Sequence, residues 1–308
     1  MSTSSDRGLF VWHEVGTTDL RAGEDFYAKV AGWKPESWSQ NPSYKLFVAK
    51  RESKAGLYLI TESLNTVTPP PSWLSYIGTP DVDATVRQAV ELGGKVAVPA
   101  YNVPSVGRMA HLQDPQGALF AVSSQEERSQ FRDPQLGDFS WHELLTTNLQ
   151  TAFDFYAKLF GWEKIEAMDM GPQGTYQIFG TGGHQLGGIF NPGPQPGGPL
   201  WIPYVMVADA RRTADIAKER GATIAHGPSE VPGGDWVFTG VDRHGAMFGA
   251  HSKKRVIAKD TATTKNAKSM KSTNKVTTRK TTNNTKKAKP ARSARVQASR
   301  RKTATKRR

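Results

Sequence analysis

FVWHEVGTTDLRAGEDFYAKVAGW, residues 10–33, returns as FSWHELLTTNLQTAFDFYAKLFGW at residues 139–162. Aligned without a gap, 14 of the 24 positions are identical, among them WHE, TT, DFYAK and the closing GW. A register held over that length marks an internal duplication, so the fold contains two copies of one unit. Each copy reads as a strand followed by a helix. Phe10, Trp12 and Val15 sit among β-favouring neighbours, and Thr17 and Thr18 offer side-chain oxygens to cap the helix that follows. Leu20, Phe26, Tyr27 and Val30 recur at three- and four-residue steps, which places them on one buried face. Gly32 stops the helix.

Outward from this stretch the repetition continues more faintly. Residues 73–99 parallel residues 201–228: an aromatic strand, a helix, Gly93 or Gly221, then a β-rich run. Both end alike, in DPQGALFAV (114–122) and DRHGAMFGA (242–250), where Asp and Gly supply the side-chain hydrogen bond and positive φ of a tight hairpin. Three short extended runs follow each helix. The expected fold is therefore α+β, with four βαβββ modules near 10–62, 73–124, 139–191 and 200–252. They pair into domains at 8–125 and 138–252, joined by a polar linker at 126–137, and each domain is long enough to bury a core of its own.

The chain has no cysteine, which removes disulfides and thiol catalysis and fits a reducing cytoplasm. No apolar segment approaches the length of a bilayer span, so no membrane partner is expected. The formal net charge of +13 is an uneven average. From His251 onward there are 21 lysines and arginines against one acid, Asp260, whereas the preceding body holds 20 basic and 27 acidic residues. Residues 253–308 contain almost nothing apolar and are expected to form a disordered basic tail. Such a tail can neutralise phosphates without reading sequence, which would make the protein a nucleic-acid or nucleoid-associated accessory factor.

Four βαβββ modules, FYxxxxGW after the first helix and DPxG before the last strand resemble the vicinal oxygen chelate superfamily over about residues 8–252. This superfamily includes glyoxalase I, extradiol dioxygenases and bleomycin-resistance proteins, and the chain looks closest to its two-domain "hydroxylase"-like members. The resemblance implies a cup of sheet in each domain that binds a divalent metal through fixed columns. Carried onto this sequence, the opening-strand column holds Trp12, Trp73, Trp141 and Trp201, and the column beyond DPxG holds Ala121 and Gly249. Indole offers no lone pair to a metal. No cofactor is therefore expected from the usual ligand set.

What the resemblance leaves is a cup lined by Trp12, Trp73, Trp141, Trp201, Tyr76 and Tyr204, suited to binding or transforming a planar aromatic metabolite. Glu14 and Glu143 share the strand face of Trp12 and Trp141 and are candidate general bases. A second reading is a lyase, isomerase or oxygenase-like activity that uses these carboxylates, or a metal held by His13, Glu14, His142 and Glu143. Alternation points His13 and His142 to the opposite, helix-packed face, which favours core histidines. His111, His184 and His244 carry weaker signals, and Trp33 and Trp162 read as core plugs.

Overall fold

The computed structural model of the chain describes residues 6–60, 70–125, 131–193 and 197–254. The expected basic tail falls beyond residue 254 and so lies outside the described residues. In the first half, β1 (Phe10–Thr17) leads into α1 (Leu20–Val30) and then β2 (Lys34–Trp38), β3 (Asn41–Ala49) and β4 (Glu52–Leu59). The pattern repeats as β5 (Trp73–Gly78), α2 (Val82–Glu91), β6 (Lys95–Val103), β7 (Gly107–Gln113) and β8 (Leu119–Gln125). In the second half β9 (Phe139–Leu145) and α3 (Leu149–Phe160) precede β10 (Glu163–Asp169), β11 (Thr175–Thr181) and β12 (His184–Phe190). The fourth module is β13 (Leu200–Met206), α4 (Ala210–Glu219), β14 (Thr223–Glu230), β15 (Trp236–Val241) and β16 (Met247–Ser252).

Each half forms one eight-stranded sheet, in the order β2-β3-β4-β1-β5-β8-β7-β6 and β10-β11-β12-β9-β13-β16-β15-β14. The opening strands of two modules pair antiparallel at the centre, Trp12 opposite Tyr76 and Trp141 opposite Tyr204. Each also pairs in parallel with its module's last strand, which closes the βαβββ unit. The register shifts between Phe10 and Trp12, and again between Phe139 and Trp141. These matched β-bulges turn Phe10 and Phe139 toward the helix side.

The helices start on acids or amides, not on the threonines read from the sequence. Asp19 caps α1 by accepting from the Ala22 N–H, and Asn148 caps α3 by accepting from Thr151. Thr17 Oγ1 instead accepts from the Asp19 N–H, bracing the cap residue from behind. Two residues nearer the helix than Thr17, Asp19 reaches the free N–H groups of the first turn, which Thr17 cannot.

The two halves do not bury separate cores. Their helix-bearing faces pack together, with α1 beside α4 and α2 beside α3. One core joins Val82, Phe120 and Val122 to Phe155, Tyr156 and Phe160; the other joins Phe26, Tyr27 and Phe47 to Phe238 and Phe248. Hydrogen-bond relays cross the same interface. Trp73 Nε1 donates to Tyr27 Oη at 3.0 Å, and Tyr27 donates to Asp242 at 2.9 Å. In the mirror relay Trp201 donates to Tyr156 at 2.9 Å and Tyr156 to Asp114 at 3.2 Å. The other oxygen of Asp242 accepts the N–H groups of His244, Gly245 and Ala246, while that of Asp114 accepts from Gln116 and Ala118. The hairpin acid of one half thus anchors on the helix of the other. Trp33 and Trp162 plug the core as expected and also donate across it, to the carbonyls of Gly137 and Gly8, both at 2.8 Å.

Trp73 and Trp201 are therefore not cup residues. They are 5% and 3% exposed and lie among the core side chains of the helix face. The reason is strand alternation: Trp73 and Tyr76 are three residues apart, as are Trp201 and Tyr204, so the members of each pair must face opposite ways. Leu74 and Ile202 occupy the cup-facing positions instead, packed with Tyr76 and Tyr204.

Candidate functional site

With the helix faces packed together, the other face of each sheet is concave and carries the same constellation at its centre. In the first cup Glu14 accepts from Tyr76 at 2.7 Å and from Tyr44 at 3.0 Å, and Trp12 Nε1 donates to Tyr44 at 3.1 Å. In the second cup Glu143 accepts from Tyr204 at 3.1 Å and from Tyr176 at 3.0 Å, and Trp141 donates to Tyr176 at 2.8 Å. Glycine makes room for these rings. A Cβ on Gly56, Gly188 or Gly249 would run into Tyr44, Tyr176 or Tyr204 respectively.

Burial raises both carboxyls above the ordinary carboxylate value, against the lowering effect of the two tyrosine donors. The same burial, with the neighbouring carboxylate, pushes Tyr176 and Tyr204 well above 10. Glu14 and Glu143 are thus hydrogen-bonded bases in an apolar surround, and the phenols stay neutral donors. Sequence reasoning missed Tyr44 and Tyr176. A signal was present: both open a repeated Tyr-x-aliphatic-Phe run, YKLF at 44–47 and YQIF at 176–179.

The histidines face the other way. His13 Nε2 and His142 Nε2, equivalent positions of the repeat, lie 2.8 Å apart between the sheets. His142 Nδ1–H donates to the Leu186 carbonyl at 3.0 Å, so its Nε2 accepts and His13 Nε2–H is the donor. Phe139 stacks on His13 with centroids 3.8 Å apart, and Phe10 stacks on His142 at 3.5 Å. Burial holds His142 down to about 3, and burial plus its partner hold His13 well below its usual value. They are neutral core residues, and the set His13, Glu14, His142 and Glu143 does not come together around one point.

A divalent metal, which this fold implies, does not fit the residues in the cups. Among the described residues no three His, Asp or Glu side chains gather into a metal-holding group. The column positions carry indoles, and a side chain at Gly249 is excluded by the ring of Tyr204. Each oxygen of Glu14 and Glu143 already accepts a phenol hydrogen bond.

The cups differ above this shared floor. In the first, His111 Nε2 lies 3.2 Å from Tyr76 Oη and 3.1 Å from Tyr101 Oη, extending the network across the concavity. Tyr44 and Tyr58 meet across β3 and β4. In the second, strand register puts Thr239 where His111 stands, Ser229 where Tyr101 stands and Phe190 where Tyr58 stands. The smaller side chains leave a cleft of about 970 Å³ whose walls include Trp141, Glu143, Met168, Phe190, Tyr204 and Met247. The cleft also reaches Trp12, His13 and His142.

Residues 139–249 match the family described as Glyoxalase/Bleomycin resistance protein/Dioxygenase superfamily. The second half therefore carries a domain of this superfamily, and the first half repeats its strand order. The manganese-bound glyoxalase from Novosphingobium aromaticivorans shares the fold, with a TM-score of 0.59, 20% identity, and coverage of 81% of this chain and 83% of that one. CFP32 of Mycobacterium tuberculosis, named as a glyoxylase, is 29% identical over 245 residues, 77% of this chain and 92% of its own. The anthracycline biosynthesis protein DnrV of Streptomyces peucetius is 27% identical over 257 residues, 78% of this chain and 92% of its own.

Proposed function

We propose that the cup of the second half binds a flat aromatic small molecule and that Glu143 acts on it as a general base. The observation that carries this is the cleft itself: about 970 Å³ with Trp141, Phe190, Tyr204 and four methionines in its walls, around the half-buried Glu143. Aromatic walls offer large rigid contact area, and Met side chains adapt to irregular outlines. A carboxylate whose pKa is raised by burial is a stronger base than a solvated one. It suits the removal of a proton from a phenol or from carbon beside a carbonyl. Tyr176 and Tyr204 hold the carboxylate in place and, as neutral donors, favour its ionised form before it takes the proton. Similarity to a relative named for the biosynthesis of anthracyclines, which are planar polycyclic molecules, supports the substrate class.

Fluorescence titration with a flat quinone, such as an anthraquinone, tests the proposal. The expected result is saturable quenching of intrinsic fluorescence that weakens in Trp141→Ala and persists in Trp38→Ala, a first-cup tryptophan against Tyr44. Linear, non-saturating quenching, or equal binding by both variants, would overturn it.

A further inference from the structure

Outside the Glu143 constellation the second cup holds another group of reactive side chains. Ser140 sits on the bulge of β9, one residue before Trp141. Its Oγ lies 2.9 Å from Nδ1 of His251, on β16. The far nitrogen of that ring, Nε2, lies 2.9 Å from Oδ2 of Asp235, in the loop before β15. Asp235 is held in turn: Lys253 Nζ donates to Oδ2 at 3.1 Å and the Lys254 N–H donates to Oδ1 at 2.9 Å. Ser140, His251 and Asp235 all line the same cleft. The first half has nothing similar, since strand register places Val11 at the Ser140 position and Ser123 at the His251 position.

The hydrogen positions follow from the partners. A carboxylate only accepts, so His251 carries its proton on Nε2 and donates it to Asp235. The Nδ1 lone pair then faces Ser140, whose hydroxyl donates to it; the Tyr204 carbonyl, at 3.3 Å from the same Oγ, is the weaker acceptor. Should Nδ1 take the proton, it donates back to Oγ and the serine hydrogen swings to that carbonyl. Both protonation states are therefore satisfied in place. Burial, against the pull of Asp235, lowers His251 below its usual 6.5, so the ring is a free base at neutral pH. Compared with the familiar serine hydrolase arrangement the two ring nitrogens are exchanged, which leaves the chemistry intact because either can be the base when the other is protonated.

We infer that Ser140, His251 and Asp235 form a nucleophile, base and positioning acid, and that the cleft takes aryl esters. Ser140 Oγ attacks the ester carbonyl carbon and forms the new O–C bond as its proton passes to His251 Nδ1. The C–O bond to the aryl group breaks, and the departing aryloxide takes that proton to leave as a phenol. Water, deprotonated by the same Nδ1, then attacks the acyl-serine, releases a carboxylic acid and restores Ser140. The aromatic wall that begins at Trp141 lies next in sequence to the nucleophile and receives the ring of the ester. This inference uses the cleft but does not depend on Glu143.

The test is acylation of the full-length protein by p-nitrophenyl acetate and phosphonylation by a fluorophosphonate, read by p-nitrophenol release, intact mass and peptide mapping. One adduct per chain on Ser140 is expected, absent from Ser140→Ala. His251→Gln should slow labelling on the order of a hundredfold or more, as loss of a general base does. Asp235→Asn, by releasing the ring rather than removing it, should slow labelling less and alter the pH profile. In the parent protein the rate should rise with pH through a single group below 6.5 and then level off; thermal melting checks that each variant is folded. Labelling confined to other residues, or an unchanged rate in folded His251→Gln, would overturn the inference. Quinone quenching is measured on the same protein: quenching without acylation rejects only the serine, and acylation without quenching rejects only the aromatic-ligand reading.

Discussion

The two cups share a floor and differ in what stands on it. In the first, Tyr101 and His111 join Tyr76 in a hydrogen-bonded cluster over Glu14. In the second, Ser229 and Thr239 occupy those positions and a cleft opens over Glu143. A duplicated unit needs only one working copy, so the other is free to exchange cavity for packing. On the function proposed above, the first cup is the stabilising member of the pair and the second the binding member.

The largest effect that would break this division is stability lost from the first cup. Tyr101→Ser with His111→Thr recreates the second cup's walls in the first and removes a buried ring and its hydrogen bonds. Denaturant unfolding should show a loss of about 3–5 kcal/mol. Indifference to the double change would mean the cluster is not holding the cup. The reciprocal pair, Ser229→Tyr with Thr239→His, fills the cleft; quinone quenching should disappear while stability moves by less than about 1 kcal/mol.

Single substitutions sharpen the comparison. Trp141→Ala should weaken quinone binding about tenfold, equivalent to about 1.4 kcal/mol, and Trp38→Ala in the first cup should leave binding near its parent value. The smallest expected difference is in pH dependence. Burial lowers His111 from 6.5 to about 4, so the unfolded chain takes up the proton first. Its contribution is complete above pH 6.5 and is lost as pH falls from there toward 4. His13 and His142 act in the same direction, while Glu14 and Glu143, raised by burial, oppose it above the ordinary carboxylate value. Melting followed from pH 7 to 5.5 should therefore fall less steeply in His111→Thr, by about 1 kcal/mol at the acid end once screening is allowed for. An unchanged slope would place the titration elsewhere.

Much of the architecture was legible because duplication prints itself twice. The gapless match of WHE, FYAK and GW, with DPxG at the far end, placed all four modules in order. Alternation also placed His13 and Glu14 on opposite faces correctly. It was not applied to Trp73 and Trp201, where matching a family column overrode the odd spacing to Tyr76 and Tyr204. The shared cores were hidden for a different reason. Whether Tyr27 packs on its own half or on the other cannot be read from a periodic stripe, which is apolar either way. Ser140, His251 and Asp235 were illegible because they lie on three separate elements and none has a counterpart in the repeat that would flag it: Val11, Ser123 and Gly107 stand at their positions.

The relays from Trp73 through Tyr27 to Asp242, and from Trp201 through Tyr156 to Asp114, bear on how the body comes apart. Opening one half alone would strip the other half's hairpin acid of its phenol partner and leave that carboxylate beside apolar core. A half-open state is thereby penalised, and the body is expected to melt as one cooperative unit. Indole fluorescence and backbone circular dichroism should trace coincident denaturation curves, with a denaturant slope that reflects the surface of both sheets at once.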